Sequence, residues 1–509
     1  MVILGNVIKR AIKLRARIQF IQHPATAYQE RTLRKLLRKA RHTDFGQHYG
    51  FGSILEADDL LGEFGRRIPV HNYNHLYEQW WKQTHEGKRN VCWPGTTRYF
   101  ALSSGTSESA SKHIPVTSDM IRAIRRASLK QILSLANYDF PSASFQKGIL
   151  MLGGSTHLQN KGEFFEGDLS GISAKKIPFW FKQRFYKPGG KIAREKNWEK
   201  KLLEIARKAP NWDIAIVCGI PAWVQIMMET VIRENKVKSI HEVWPNFICY
   251  VTGGVAFEPY RKGFEKLFSK PVQFVDTYLA SEGFVAFQNR PDTSSMKLCL
   301  NNGIYFEFIP FDESNFNADG ELVKHPRCLR LAEVEEDKPY AILLSTCSGA
   351  WRYLIGDVVK FTSKERSEIL IVGRTRHFLS MCGEHLSVDN MNHAIKKMEE
   401  EFNISIREFT LAGVPYDSLF AHHWFIGTDD PVDAGALKER LDACLKELND
   451  DYATERIAAL KEVIVTILPS SSFYHWFEQK NKLGGQNKFP RVLKGKQLEE
   501  WMEFVRTNQ

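Results

Sequence analysis

Between Phe100 and about Arg374 the chain alternates short β-rich runs with helical patterns, and this alternation restricts its fold more than any other feature. The runs read KGILMLGG, WDIAIVCG, FICYVTGG, VQFVDTY, AILLSTCS, VVKFTS and EILIVGR, with helical patterns near 193–208, from Pro221 and from Glu258. Strands separated by helices pair in parallel through crossovers, so the pattern predicts an α/β fold with mixed or largely parallel sheets. Several runs end in Gly, Ser or Thr. Ligands of open α/β sheets bind beyond the carboxyl ends of the strands, and those small-residue ends are where a site is expected.

After Gly373 the texture changes to a helical pattern at 388–402, then REFTLAGV, HHWFIGT, a helical stretch at 432–449, KEVIVTILP and helices to the end. This predicts a smaller α+β unit. At 509 residues the chain exceeds what one simple core supports. The expected division is a large N-terminal domain over 1–376 and a small mobile C-terminal domain over 377–509, joined by the hinge-like segment GRTRHFLSMCGEHLSVDN.

The net charge of +11 is local: residues 1–41 hold eleven Lys and Arg against Glu30 alone. A broad phosphate-binding face is therefore not expected, and nucleic acid is not expected as a partner. VILGNVIKRAIKLRARI reads as a helical leader packing an Ile/Leu stripe on the body, with weak contact to an anionic surface as the alternative. Lys9 and Arg10 break its apolar run, no stretch approaches the ~18 apolar residues of a membrane span, and the cytoplasm is the expected compartment. The eight cysteines are scattered without a CxxC pair, which argues against both a disulfide framework and a zinc site built on them.

Three stretches carry chemistry. LSSGTSESASK, 102–112, combines small residues that let backbone N–H groups approach an anion with hydroxyl donors and a lysine. Neither GxxxxGK[ST] nor GxGxxG is present, which argues against P-loop and dinucleotide folds. In VDTYLASEGFVAFQ, 275–288, Tyr278 followed by Ser281 and Glu282 can stack a base and offer a hard cation an oxygen ligand. In WRYLIGDVVKF, 351–361, Asp357 after Arg352 and Gly356 can accept both hydroxyls of a ribose. Taken singly, each stretch also reads as an ordinary turn.

Together, SSGTS…K, TYxxSEG and WRYxxGD resemble the three nucleotide-binding motifs of the auxin-responsive (Gretchen Hagen type) acyl-acid amido synthetases, within the superfamily of acyl-CoA synthetases, adenylation domains and luciferases. GIPAWV at 219–224, GRTRHFLSMCGEHLS at 373–387 and GGQNKFPRV at 484–492 extend the resemblance from about residue 70 to 495. It implies an enzyme that uses ATP and Mg²⁺ to convert a carboxylic acid to its acyl-adenylate, then transfers the acyl group to the amine of an amino acid. By matched position, Ser103, Ser104, Gly105, Thr106 and Ser107 wrap the phosphates, with Lys112 nearby and Lys488 reaching them from the small domain. Tyr278 lies against adenine beside Ser281, Glu282 holds Mg²⁺, Asp357 holds the ribose, and Arg352 orients the Asp357 turn or contacts the nucleotide. Rotation about 374–378 then exchanges adenylation for transfer. The acyl pocket is expected from GGSTHL (153–158), GIPAW (219–223) and Thr252–Val255. Ser109 replaces a family glycine, and Leu354 stands where the family commonly has a second arginine.

Competing readings are a thioester-forming ligase that passes the acyl group to coenzyme A, an inactive nucleotide-binding relative, and a membrane-surface or nucleic-acid protein resting on residues 1–41 alone. His113, His422 and His423 are ambiguous between packed side chains and an amine-deprotonating base.

Overall fold

A computed structural model describes residues 24–508 except 105–110, 154–155, 176, 178, 255–256, 258–259, 318–319, 376–377, 380, 383, 385 and 480–488. The described chain divides into two compact units. One comprises residues up to 103 and 113–375; the other comprises residues from 378 onward together with Ser104, Ser111 and Lys112. The leader read from VILGNVIKRAIKLRARI lies outside the described residues.

The first unit is built on an eleven-stranded sheet. Its strands are β3 (Gly148–Leu152), β6 (Tyr186–Lys187), β7 (Ile214–Gly219), β8 (Cys249–Gly253), β9 (Gln273–Ala280), β10 (Gly283–Phe287), β11 (Met296–Leu298), β12 (Ile304–Pro310), β13 (Pro339–Thr346), β14 (Tyr353–Ser363) and β15 (Glu368–Arg374). They lie in the order β12-β13-β14-β15-β11-β10-β9-β8-β7-β3-β6. A four-stranded sheet, order β2-β1-β5-β4, contains β1 (Tyr99–Ser104), β2 (Ser111–Pro115), β4 (Gln159–Asn160) and β5 (Phe165–Gly167).

The α/β expectation holds for half of the large sheet. β6, β3, β7, β8 and β9 are parallel, with helices Trp198–Lys208 and Pro221–Asn235 between strands where the helical patterns fall. Pro221 opens its helix at the first turn, where its missing N–H has no partner to lose. A third helix, expected from Glu258, is present at Arg261–Glu265; Glu258 and Pro259 lie outside the described residues. AILLSTCS, VVKFTS and EILIVGR depart from the parallel expectation: β13, β14 and β15 pair antiparallel. Their links, 347–352 and 364–367, are too short for a crossover.

Helices cover the sheet. Helix Ser118–Ser134 starts at Thr117, whose hydroxyl accepts from Met120 N–H and donates to Cys347 O, fixing the helix to the sheet. Helix Ala25–Ala40 buries Leu33, Leu36 and Leu37, and its buried Gln29 bonds the edge strand β12. The Gln29 amide donates to Ile304 O and accepts from Phe306 N–H, while Phe308 exchanges both backbone bonds with Leu329. All eight cysteines are free, six of them buried. No helix among the described residues is long and apolar enough to cross a membrane.

In the second unit a two-stranded ribbon, β16 (Phe378–Leu379) and β17 (Leu386–Ser387), precedes helix Val388–Phe402, where the helical pattern predicts it. Ser387 caps that helix reciprocally with Asn390. A three-stranded sheet follows, β18 (Glu408–Tyr416), β19 (Leu419–Gly427) and β20 (Leu460–Leu468), with helix Ala434–Leu448 crossing between the parallel pair β19 and β20. Phe425, Phe473, Trp476, Phe489 and Trp501 form its aromatic core.

Candidate active site

The site in the first unit grows from a turn that only glycine can close. β9 and β10 form a hairpin with Ser281 and Glu282 at its tip and Gly283 opposite Ala280. Gly283 has φ +148°, and a Cβ there would lie 2.9 Å from Ile304 Cδ1 and 3.1 Å from Met120 Cε. That close contact fixes where the neighbouring Glu282 carboxylate, 7% exposed, sits.

Five side chains meet there. Tyr278, on β9, donates its hydroxyl to Asp357 Oδ2. Asp357 enters β14 directly after Gly356, whose φ is +92°, and stands opposite Arg374 across the β14–β15 ladder. The Arg374 Nε lies 2.9 Å from Asp357 Oδ1. Glu282 hydrogen-bonds the Tyr353 hydroxyl and lies within the field of Arg374. Burial first, and then the adjacent carboxylates, pushes the Tyr278 and Tyr353 hydroxyls well above the usual tyrosine range. Both remain hydrogen-bond donors at neutral pH. The result is a buried Glu282 carboxylate and a partly buried Asp357 carboxylate with one guanidinium, suited to accepting vicinal hydroxyls and to meeting phosphate charge.

Three of the residues expected from sequence, Tyr278, Glu282 and Asp357, thus converge, with Ser281 at the same turn. Arg352 does not join them. It is buried, its Nε pairs with Glu307 Oε2 at 3.0 Å, and its Nη1 donates to the carbonyls of Gly65 and Ile68. Its backbone is left-handed, φ +42°. This guanidinium anchors the 65–71 segment to the sheet, and the cation beside Asp357 is Arg374. Arg374 was visible in GRTRHF, but its position at the end of an apparent strand gave no sign that it faces a carboxylate.

The backbones of Ser103 and Ser104 complete β1, and Lys112 lies half-buried on β2. The side chains of Ser103 and Ser104 lie outside the described residues, as do Gly105, Thr106, Ser107, Ser109 and Lys488.

At the parallel strand ends, glycines mark close approach. A Cβ on Gly219 would lie 2.7 Å from Leu152 O, and one on Gly253 would lie 2.6 Å from Thr277 O. Of the stretches expected to form the acyl pocket, Thr156, His157 and Leu158 line a cleft of about 600 Å³ with Phe165, Lys175, Lys182, Arg194 and Lys196. Gly219–Trp223 and Thr252 do not line it; Val255 is outside the described residues.

The strand histidines are packed side chains with partners. His422, fully buried, lies 2.8 Å from Glu384 Oε1, and the same carboxylate accepts from the backbone of Met381 and Cys382. His423 bonds Thr466 Oγ1 at 2.8 Å, and burial lowers it to about 4.

The fold is shared with solved ligases. The GH3.15 acyl acid amido synthetase superposes with a TM-score of 0.59 at 15% identity, covering 98% of this chain and 96% of that one. A 2-hydroxyisobutyryl-CoA ligase, in complex with 2-HIB-AMP and CoA, gives 0.57 at 14% identity, covering 95% and 93%. By fold, then, the chain is an α/β protein of the type these ligases use. The sequence matches the GH3 family N-terminal domain over residues 14–205, its central domain over 297–373 and its C-terminal domain over 389–497. The chain belongs to the GH3 family. Relatives include "Probable indole-3-acetic acid-amido synthetase GH3.9" of Oryza sativa subsp. japonica, 26% identical over 38% of this chain and 45% of the relative. Another is indole-3-acetic acid-amido synthetase GH3.17 of Arabidopsis thaliana, 24% identical over 50% and 48%. The chain therefore spans half or less of the length of these curated relatives.

Proposed function

We propose that the protein activates a carboxylic acid with ATP as an acyl-adenylate and transfers the acyl group to the amine of an amino acid, forming an amide. The observation that carries this reading is the meeting of Tyr278, Asp357 and Arg374 beside the buried Glu282, in a chain of the GH3 family. Asp357 accepts the ribose hydroxyls while the Tyr278 hydroxyl and Arg374 hold its carboxylate in place. Tyr278 also offers an aromatic face to the base. The acid must approach a polyanion, so positioning and charge neutralisation provide most of the rate. Arg374 supplies one fixed charge; Lys112 and Lys488 are the cations the family motifs assign to the phosphates. Ser103, Ser104, Gly105, Thr106 and Ser107 belong to the phosphate loop on the same grounds, and Ser281 to the adenine side.

Glu282 fits Mg²⁺ by donor chemistry: it is a shielded oxygen ligand, and Mg²⁺ is commonly held by one or two carboxylates plus substrate phosphates. Bound there, the ion would neutralise charge on the phosphates. The two units are proposed to act as a large ATP-binding domain and a small mobile one.

Acid-dependent exchange of pyrophosphate into ATP tests the first half-reaction. Glu282→Gln and Lys488→Ala are each expected to lower it ~10²–10³-fold with the fold intact. Unchanged exchange in both variants refutes the assignment. The second half-reaction is read by mass analysis with pooled amino acids, with and without coenzyme A. Amides formed without coenzyme A support the proposal, whereas thioesters alone replace it with the coenzyme A ligase reading.

A further inference from the structure

Away from the Asp357 site, three side chains of the first unit converge on one point. Glu166 projects from β5 with its side chain 6% exposed. His85, at the end of helix Lys82–His85, places Nε2 2.9 Å from Glu166 Oε1, and His113, on β2, places Nδ1 2.8 Å from the same oxygen. The three potential ligand atoms all lie within 4.8 Å of one another. The two imidazoles stand 4.4 Å apart, centroid to centroid, and the rings of Phe100 and Phe164 each pack 4.8 Å from His85.

The buried His113 Nδ1 hydrogen-bonds the same Glu166 oxygen that His85 Nε2 faces. Two imidazole nitrogens crowded on one carboxylate oxygen are a donor set that, with both rings neutral and turned to present their lone pairs, a cation can gather. His85 has the complementary arrangement: its Nδ1 lies 3.1 Å from the Tyr77 hydroxyl, leaving Nε2 to face the cluster. Such an outer partner is the usual device for fixing a metal-binding imidazole. Lys161 Nζ, 3.9 Å from Glu166 Oε2, opposes a cation, but it is half exposed and faces the other oxygen.

We propose that His85, His113 and Glu166 form a zinc site that ties β2 and β5 to helix Lys82–His85. Two imidazoles and one carboxylate are the donor class zinc takes, and water reaches the fourth position past histidines 21% and 26% exposed. Tetrahedral zinc with bonds of ~2.0–2.1 Å sets its ligands roughly 3.4 Å apart, so the present contacts need to open by about half an ångström. Mg²⁺, which prefers oxygen ligands, does not compete for this site. The site also stands independently of the proposed ligase activity. Its consequence is positional: His113 directly follows Lys112 at the root of the serine-rich stretch, so the ion would fix one end of it.

The test uses untagged full-length protein, stripped with chelator and titrated at neutral pH with Co²⁺ alone, then with Zn²⁺. One equivalent of Co²⁺ with tetrahedral visible absorption, displaced by Zn²⁺, is expected, together with a Zn²⁺-dependent rise in Tm. His85→Gln and His113→Gln should each abolish the absorption, Tyr77→Phe should weaken binding ~10–100-fold, and His325→Gln should leave it unchanged. Should a histidine variant fail to fold, the wild-type spectrum and its metal stoichiometry after gel filtration decide alone. No Co²⁺ absorption and no retained zinc in wild type would overturn the proposal, as would binding that survives both histidine substitutions.

Discussion

The Tyr278–Asp357–Arg374 group makes a graded prediction for nucleotide binding. Asp357→Asn keeps the volume but removes the charge that accepts the Tyr278 hydroxyl, pairs with Arg374 at 2.9 Å and is proposed to hold the ribose. Hydrogen bonds to charged groups contribute ~1.5–3 kcal/mol, so losing the ribose acceptor should raise the KM for ATP ~10–100-fold. Tyr278→Phe keeps the ring and removes only a bond that acts through Asp357. At ~0.5–1.5 kcal/mol this should raise KM ~2–10-fold. The double variant should be close to Asp357→Asn alone, because the hydroxyl has nothing left to orient. Initial rates of pyrophosphate release against ATP concentration, at saturating acid, measure all three. If Tyr278→Phe is as damaging as Asp357→Asn, or if the two effects add in full, the hydroxyl has a role of its own and the positioning argument fails.

In the second unit, burial raises the Glu384 carboxyl, but the His422 bond and the N–H groups of Cys382 and Met381 outweigh it, bringing it down from 4.5 to about 2. A depressed carboxyl stabilises the fold above its unfolded value and loses that contribution as pH falls from 4.5 towards 2. The contribution is about 3 kcal/mol, and Glu384→Gln should flatten Tm against pH across that window; parallel curves would contradict it. Arg352→Met breaks a buried ion pair and two carbonyl contacts and should lower stability by ~3–5 kcal/mol in denaturant titration, with the KM for ATP of the folded protein unchanged. Gly356→Ala meets no atom closer than 3.7 Å, so its effect comes from φ +92° alone. It should destabilise by ~1–3 kcal/mol and raise the KM for ATP by moving Asp357, which calorimetry and kinetics would read together.

The parallel half of the large sheet was legible because each apolar run was followed by a helical pattern and ended in small residues. The helix at 388–402 was legible for the same reason, its apolar spacing being intact. β10 was not, because Gly283–Phe287 is buried on both faces and shows no alternation. The antiparallel direction of β13 to β15 lay in the length of the connecting links rather than in the strands. At the site, motif spacing marked Tyr278, Glu282 and Asp357. Arg352 was expected beside Asp357 and Arg374 was assigned no role; both are arginines at strand ends, and only the left-handed turn at 352 and the β14–β15 register decide which guanidinium meets Asp357. His85 and Glu166 carried no signal, since 81 residues separate them in sequence.

The sealing of β12 bears on the solubility of the whole chain. An eleven-stranded sheet ends in a row of peptide groups able to recruit a strand from another molecule, and here a side-chain amide imitates the missing neighbour at Ile304 and Phe306 while Leu329 occupies Phe308. Gln29 is thus a guard against intermolecular sheet growth. Its replacement by leucine would keep the helix apolar yet leave that border open, so such a protein should form aggregates at concentrations where its parent stays monodisperse.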